Sequence, residues 1–396
     1  MAAYRVRRNR SIQSQVLNSE YSSNSNYAEP AAIDPRFTDR ERQPGLDLLR
    51  ALAIVFVVFY HGGIFDFRLP SHVDRFGWIG VDLFFVLSGY LIGGQLLAPL
   101  ARAKPIKLGR FFARRALRIM PAYFVVLSIY FGLPWLREYP SISPLWKFLI
   151  SVQNINLIGG TSFSHAWSLA IEDQFYLLLP FALLLLNGRA RASWFMAATI
   201  VVSGLCLRAY LALHLPGNGG VSFRGYQKFI YYPTWTRLDP LVLGVGVAAM
   251  RRFRQAWWAK MTNSAVWLWL PAFGTIVLAL YLGEGETLTV TAVIFQFPLI
   301  AFGMAGLLVC VLSPRLPFSR MKIPGAAFLA SIAYSVYLSH KLVIHQVAGV
   351  CADHEIPLTS GSALLLVQLS IYAGGAALFF VVERPFLQLR RRLTTD

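Results

Sequence analysis

The stretch GLDLLRALAIVFVVFYHGG, residues 45–63, decides how the rest of the chain is read. Between Arg50 and His61 every residue is uncharged and nearly all are apolar, so the segment predicts a helix that crosses a bilayer. Eleven steps of about 100° bring Arg50 and His61 to within roughly 20° of the same face, about 16 Å apart along the axis. A charge-bearing group inside a span is costly and is read as functional by default. The reading places Arg50 near the cytoplasmic end and His61 deeper, towards the outside.

The composition agrees with a membrane span here and elsewhere. Of 396 residues, 56% are hydrophobic and 14% charged, with a mean hydropathy of +0.51; a soluble domain carries about 25% charged residues. These values exclude a soluble enzyme, a disordered protein and a secreted disulfide scaffold. Cys206, Cys310 and Cys351 lie in apolar stretches without CxxC or CxxH spacing and read as structural thiols. No metal is expected.

Apolar runs long enough to span occur at 46–66, 76–98, 119–136, 166–187, 194–215, 233–250, 264–283, 288–312, 327–350 and 362–383. A further run, 145–158, is short and carries Gln153, Asn154 and Asn156. If it does not cross, the strongly basic loops, including 99–118 and Arg390–Arg392, all fall on one side of the membrane, as the positive-inside rule requires. The net charge of +18 is therefore topological, and nucleic acid is not an expected partner. The expectation is an all-α polytopic bundle of about ten transmembrane helices, with 145–158 re-entrant or interfacial and both termini cytoplasmic. Residues 1–43 read as a disordered basic cytoplasmic tail without a signal peptide, 44–387 as the membrane domain and 388–396 as a short cytoplasmic tail.

Several motifs share one order along the chain: Arg50-x10-His61, GVDLFFVLSGYLI (80–92), FFARRALRIMPAY (111–123), HAWSLAIEDQFYLLLP (165–180), RLDPLVLG (237–244), YSVYLSH (334–340) and ERP (383–385). In this set the chain resembles the acyltransferase family 3 membrane proteins, which acylate bacterial O-antigens, exopolysaccharides, peptidoglycan, nodulation factors and macrolides. Leu48, Asp173 and Tyr90 stand where the family often has Gly, Glu and Phe. The chain also ends soon after its last span, which is read as lack of the extracytoplasmic domain some members append. The resemblance implies a catalytic His61, an acyl-CoA donor (usually acetyl-CoA), a carbohydrate or glycolipid acceptor and a place in the bacterial cytoplasmic (inner) membrane.

O-acylation needs a base to remove the acceptor hydroxyl proton, and an imidazole suits that task near neutral pH. His61 is assigned as the base. A base histidine is commonly oriented by a partner, and the candidates are Glu172 and Asp82; Glu172 shares a helix face with His165. Arg110, Arg114 and Arg118 recur every four residues with Arg115 beside them, and guanidinium forks match phosphates. The Arg115-x-x-Arg118 spacing before Ile119–Met120–Pro121 matches a motif of the family. Arg50, Arg114, Arg115 and Arg118 are therefore assigned to the CoA phosphates, although positive-inside charge alone explains part of this cluster. Arg237, Asp239, Trp167, Tyr337 and His340 are assigned to the acceptor. Ser88-Gly89-Tyr90 reads as a close helix contact. The alternative function is a proton-coupled transporter or flippase for a glycan or small anion, using His61, Glu172 and Arg237.

Overall fold

The computed structural model describes residues 43–69, 73–186, 189–217, 220–284 and 288–393. Apart from Gln43, the segment read as a disordered tail lies outside the described residues, as do the last three residues of the C-terminal tail.

Among the described residues fourteen α-helices follow one another: α1 Pro44–Ile64, α2 Ile79–Leu100, α3 Leu108–Gly132, α4 Leu145–Leu149, α5 Trp167–Leu186, α6 Ala190–His214, α7 Phe223–Tyr226, α8 Asp239–Phe253, α9 Gln255–Asn263, α10 Ala265–Leu282, α11 Val290–Leu312, α12 Ala326–Asp353, α13 Gly361–Leu378 and α14 Arg384–Leu393. Local chemistry sets several boundaries. Pro44 opens α1 at a position whose N–H would be unpaired in any case. Thr289 and Ser360 cap α11 and α13 through their hydroxyls, at 3.1 and 3.2 Å. Pro216–Gly217 pairs antiparallel with Gly220–Val221.

Among the described residues nine helices are long and apolar enough to cross a membrane: α1, α2, α3, α5, α6, α10, α11, α12 and the α13–α14 unit. The chain is a multi-pass helical membrane protein. Large apolar side chains such as Leu185 (84% exposed), Phe195 and Trp267 point away from the bundle, a surface that lipid covers. α2, α11 and α12 are the most enclosed spans, whereas α6 and α13 turn most of their surface outward.

The run 233–250, read as a tenth crossing, forms a shorter helix. α8 begins only at Asp239 and has 15 residues, about 22 Å of rise against a hydrocarbon thickness of about 30 Å. Before it come Pro233, a 3₁₀ turn at Thr234–Thr236, and Arg237. Irregular backbone is tolerated at membrane depth where protein surrounds it, and Thr236, Arg237 and Asp239 are all fully buried. α8 packs closely along α2. A Cβ on Gly89 would strike the Leu241 carbonyl, and one on Gly244 the Val86 carbonyl, so both glycines are required by backbone contact.

The segment 145–158 does not cross. It makes the five-residue α4 and then turns back through Ser151 and Asn156, both in left-handed conformation. Its polar residues are clipped to the bundle: Gln153 donates to the Ala166 carbonyl at 2.9 Å, and Asn154 donates to Thr234 at 2.9 Å. Leu145, Trp146, Leu149 and Ile150 remain exposed, the pattern of an interfacial segment.

Candidate active site

His61 occupies the last turn of α1, half-buried, with its Nδ1 3.0 Å from the Val57 carbonyl. A carbonyl oxygen can only accept, so Nδ1 donates to it, and in the neutral ring Nε2 is then the nitrogen with the lone pair. Two further imidazoles lie against it. His340 on α12 is 4.8 Å from His61 between ring centroids, and His165 is 6.2 Å from His61 and 4.8 Å from His340.

His165 sits in the 3₁₀ turn Ser164–Ala166 that leads into α5. Phe163, just before it, holds a left-handed backbone (φ 56°) while fully buried, a costly conformation for a non-glycine residue. It persists because the Phe163 ring stacks on Tyr130 and Phe148, and its N–H donates to Glu138 at 3.0 Å. Glu138 also accepts from Lys341 at 3.1 Å, and Lys341 in turn donates to Ser164 at 3.1 Å. Thus a buried ion pair braces the turn that presents His165.

On the Arg50 side of the histidines lies a cavity of about 170 Å³. Arg50, Arg115 and Arg118 line it together with Ser88, Glu172, Asp173 and Tyr176, and Tyr337 and Ser168 stand at its boundary with the cluster. Arg115 lies over the Tyr176 ring at 5.1 Å. Three guanidinium groups around one cavity suit an anion with several phosphates. Arg114 is not among the residues that line the cavity.

Other assigned residues lie elsewhere than expected. Glu172 lines the cavity but does not orient His61: it accepts from Ser88 at 2.7 Å and from Tyr176 at 2.8 Å. Asp82 does not reach His61 either, because it is fully buried in an ion pair with Arg237 at 3.1 Å. Arg237 and Asp239, assigned to the acceptor, are locked away. Asp239 pairs with Arg208 at 2.6 Å, and the Arg237 guanidinium rests 3.6 Å over the Phe297 ring. Trp167 is packed beneath that cation among Tyr231, Tyr232 and Phe85. The turn before α8 pushes Arg237 and Asp239 into the bundle core, where each must find an opposite charge, in Asp82 and Arg208 respectively. Tyr337 does line the cavity, and His340 lies behind it in the histidine cluster.

Glu138 and Arg208 were absent from the sequence reading, and His165 entered it only as a neighbour of Glu172. Their isolated charges in otherwise apolar or loop segments were the available signal.

Clustered imidazoles beside an arginine-lined cavity, within a multi-pass helical bundle, define a membrane protein with a polar site inside the bundle. The chain belongs to the acyltransferase domain family, whose model matches residues 43–384. It is similar to the O-acetyltransferase OatA of Staphylococcus aureus (strain NCTC 8325 / PS 47), 26% identical over 334 residues, covering 80% of this chain and 53% of that protein. It is also similar to a protein of S. aureus strain COL named provisionally as an O-acetyltransferase, 29% identical over 345 residues with the same coverage. The chain thus spans about half the length of the curated relatives it matches. No solved structure matches it.

Proposed function

We propose that the domain at 44–387 transfers an acetyl group from acetyl-CoA to a hydroxyl of a carbohydrate or glycolipid acceptor, in the bacterial cytoplasmic membrane. The observation that carries this reading is the His61 imidazole, held by its Nδ1 on the Val57 carbonyl so that Nε2 faces away from its own helix, on the same helix that carries Arg50 into the cavity. Arg50, Arg115 and Arg118 hold the CoA phosphates, and an extended pantetheine arm covers the roughly 16 Å of helix rise from Arg50 to His61. His61 removes the acceptor proton as the oxygen attacks the thioester carbonyl. Burial around the imidazoles excludes competing water and strengthens each charge interaction there. The names of the relatives support acetyl as the acyl group and oxygen as the acceptor atom.

The test uses the purified chain with isotopically labelled acetyl-CoA. Release of CoA thiol together with labelled ester is the expected result, lost by at least about 100-fold in His61→Ala. Transport of a glycan with acetyl-CoA left untouched would favour a transporter instead.

A further inference from the structure

We propose that Phe84 and Tyr337 close the histidine end of the arginine-lined cavity as an aromatic wall that admits only short, uncharged acyl groups. This rests on the acyl-transfer reading above and names the class of thioester that the site takes.

Contacts across the cavity set its direction. At one level Phe84 on α2 lies edge-on to Tyr337 on α12, with ring centroids 6.3 Å apart, and Tyr337 meets Ser168 on α5 at 2.5 Å. One turn along, Ser88 on α2 meets Glu172 on α5 at 2.7 Å. A further turn along α5, the Tyr176 ring lies 5.1 Å from the Arg115 guanidinium. All of these residues line the cavity. From Ser168 to Tyr176, α5 rises about 12 Å, so Arg115 and the ring pair stand at opposite ends. Tyr337 is also the ring next to the histidines, 5.7 Å from His165 and 5.8 Å from His340 between centroids. A thioester whose phosphates sit among the arginines therefore carries its acyl group towards Phe84 and Tyr337.

The two rings are held differently. The Tyr337 hydroxyl donates to the His165 carbonyl at 2.7 Å and accepts from Ser168, which pins that side of the wall. Phe84 has no polar atom to tether it; half-buried, it is held by packing alone and lines the cavity. The length open to an acyl chain is thus set by the Phe84 ring. Val81 and Leu169 extend the apolar lining at this end. A carboxylate carried on the acyl group would lose its water there, and Lys341, nearby on α12, is committed to Glu138 at 3.1 Å.

Forcing extra methylenes against a packed wall displaces side chains. In an apolar pocket one methylene changes kcat/KM by about 10- to 200-fold. Acetyl fits in front of such a wall, and a six-carbon chain does not.

The full chain in detergent is assayed for CoA thiol release from acetyl-, butyryl-, hexanoyl- and succinyl-CoA, with glycerol as hydroxyl donor. Each kcat/KM is divided by the value for acetyl-CoA, so that a general loss of activity cancels. For the native chain the hexanoyl ratio should be at or below about one hundredth, with butyryl between. Phe84→Ala removes the ring and should raise the hexanoyl ratio at least about tenfold, while the succinyl ratio stays within about threefold of native. A native chain that uses hexanoyl-CoA as well as acetyl-CoA overturns the wall, and so does a Phe84→Ala chain whose hexanoyl ratio is unchanged. Succinyl-CoA used by the native chain as well as acetyl-CoA overturns the restriction to uncharged groups. Should Phe84→Ala fail to fold, the same ratio in Phe84→Leu decides, and a native value there overturns the proposal. Undiminished acetyl-CoA turnover in His61→Ala, or no thiol release by the native chain from any of the thioesters, overturns the acyl-transfer reading and this inference with it. Turnover that depends on His61 but not on acyl length overturns the wall alone.

Discussion

Tyr337 donates its hydroxyl to the His165 carbonyl at 2.7 Å and receives a 2.5 Å hydrogen bond from Ser168. The residue that bounds the arginine-lined cavity is thereby tied to the turn that carries one of the three histidines. Occupancy of the cavity and the arrangement of the imidazoles are mechanically linked at this point, and the link consists of two buried hydrogen bonds.

Tyr337→Phe removes both bonds while keeping the ring. It leaves the buried His165 carbonyl and Ser168 hydroxyl short of a partner, a cost of about 1–3 kcal/mol. The expected outcome is a lower Tm in detergent and a reduced kcat as His165 loses its anchor. An unchanged Tm would show that the hydroxyl carries no load.

The arginines divide by position. Arg50, Arg115 and Arg118 line the cavity and Arg114 does not. A lost charge-assisted contact costs about 1.5–3 kcal/mol, or about 10- to 100-fold in affinity. Arg115→Ala and Arg118→Ala should each raise KM for acetyl-CoA by that factor, with a marked dependence on salt, while Arg114→Ala changes it by less than about threefold. Equal effects at Arg114 and Arg118 would remove the assignment of the cavity to the phosphates.

How far the sequence reached can be judged from single residues. Hydropathy and the basic loops place the spans and keep 145–158 out of the bilayer, because lipid imposes a length and charge rule that acts on the chain locally. The Arg50–His61 stripe is legible for the same reason, since helix periodicity is local. The relation of Asp82 to Arg237, or of Glu138 to Lys341, is set by which helices pack together, and no periodicity within one helix encodes it. His340 was assigned to the acceptor on its own, and its closeness to His61 emerges only when α1 meets α12. The shortness of α8 was hidden because hydropathy averaged over a window does not register the backbone restriction that Pro233 and Pro240 impose.

The α2–α8 contact supports the cavity from behind. Gly89 faces the Leu241 carbonyl too closely for any side chain, and its neighbour Ser88 donates to Glu172. Gly89→Leu should force the two helices apart, lowering Tm by several degrees and weakening acetyl-CoA binding through displacement of Ser88. Ser88→Ala tests the second half separately: it leaves the helix contact in place, so its Tm should stay near native while KM changes.

The ion pair between Asp82 and Arg237 is stabilising only as a pair. Both side chains are fully buried, with the guanidinium covered by Phe297, Trp167 and Tyr231. Removing one partner strands the other charge in a low-dielectric interior, at a cost of about 3–5 kcal/mol. Arg237→Met and Asp82→Ala are each expected to lower the unfolding free energy by that amount. The double variant should recover part of the loss, because no charge is left without its opposite and apolar groups suit the site. A double-mutant cycle on thermal or denaturant unfolding yields the coupling directly. If the single costs simply add, the pair is not the stabilising contact and the burial of these charges serves the site in another way. If the double variant is stable yet inactive, Arg237 acts on substrate after all, and its acceptor role returns.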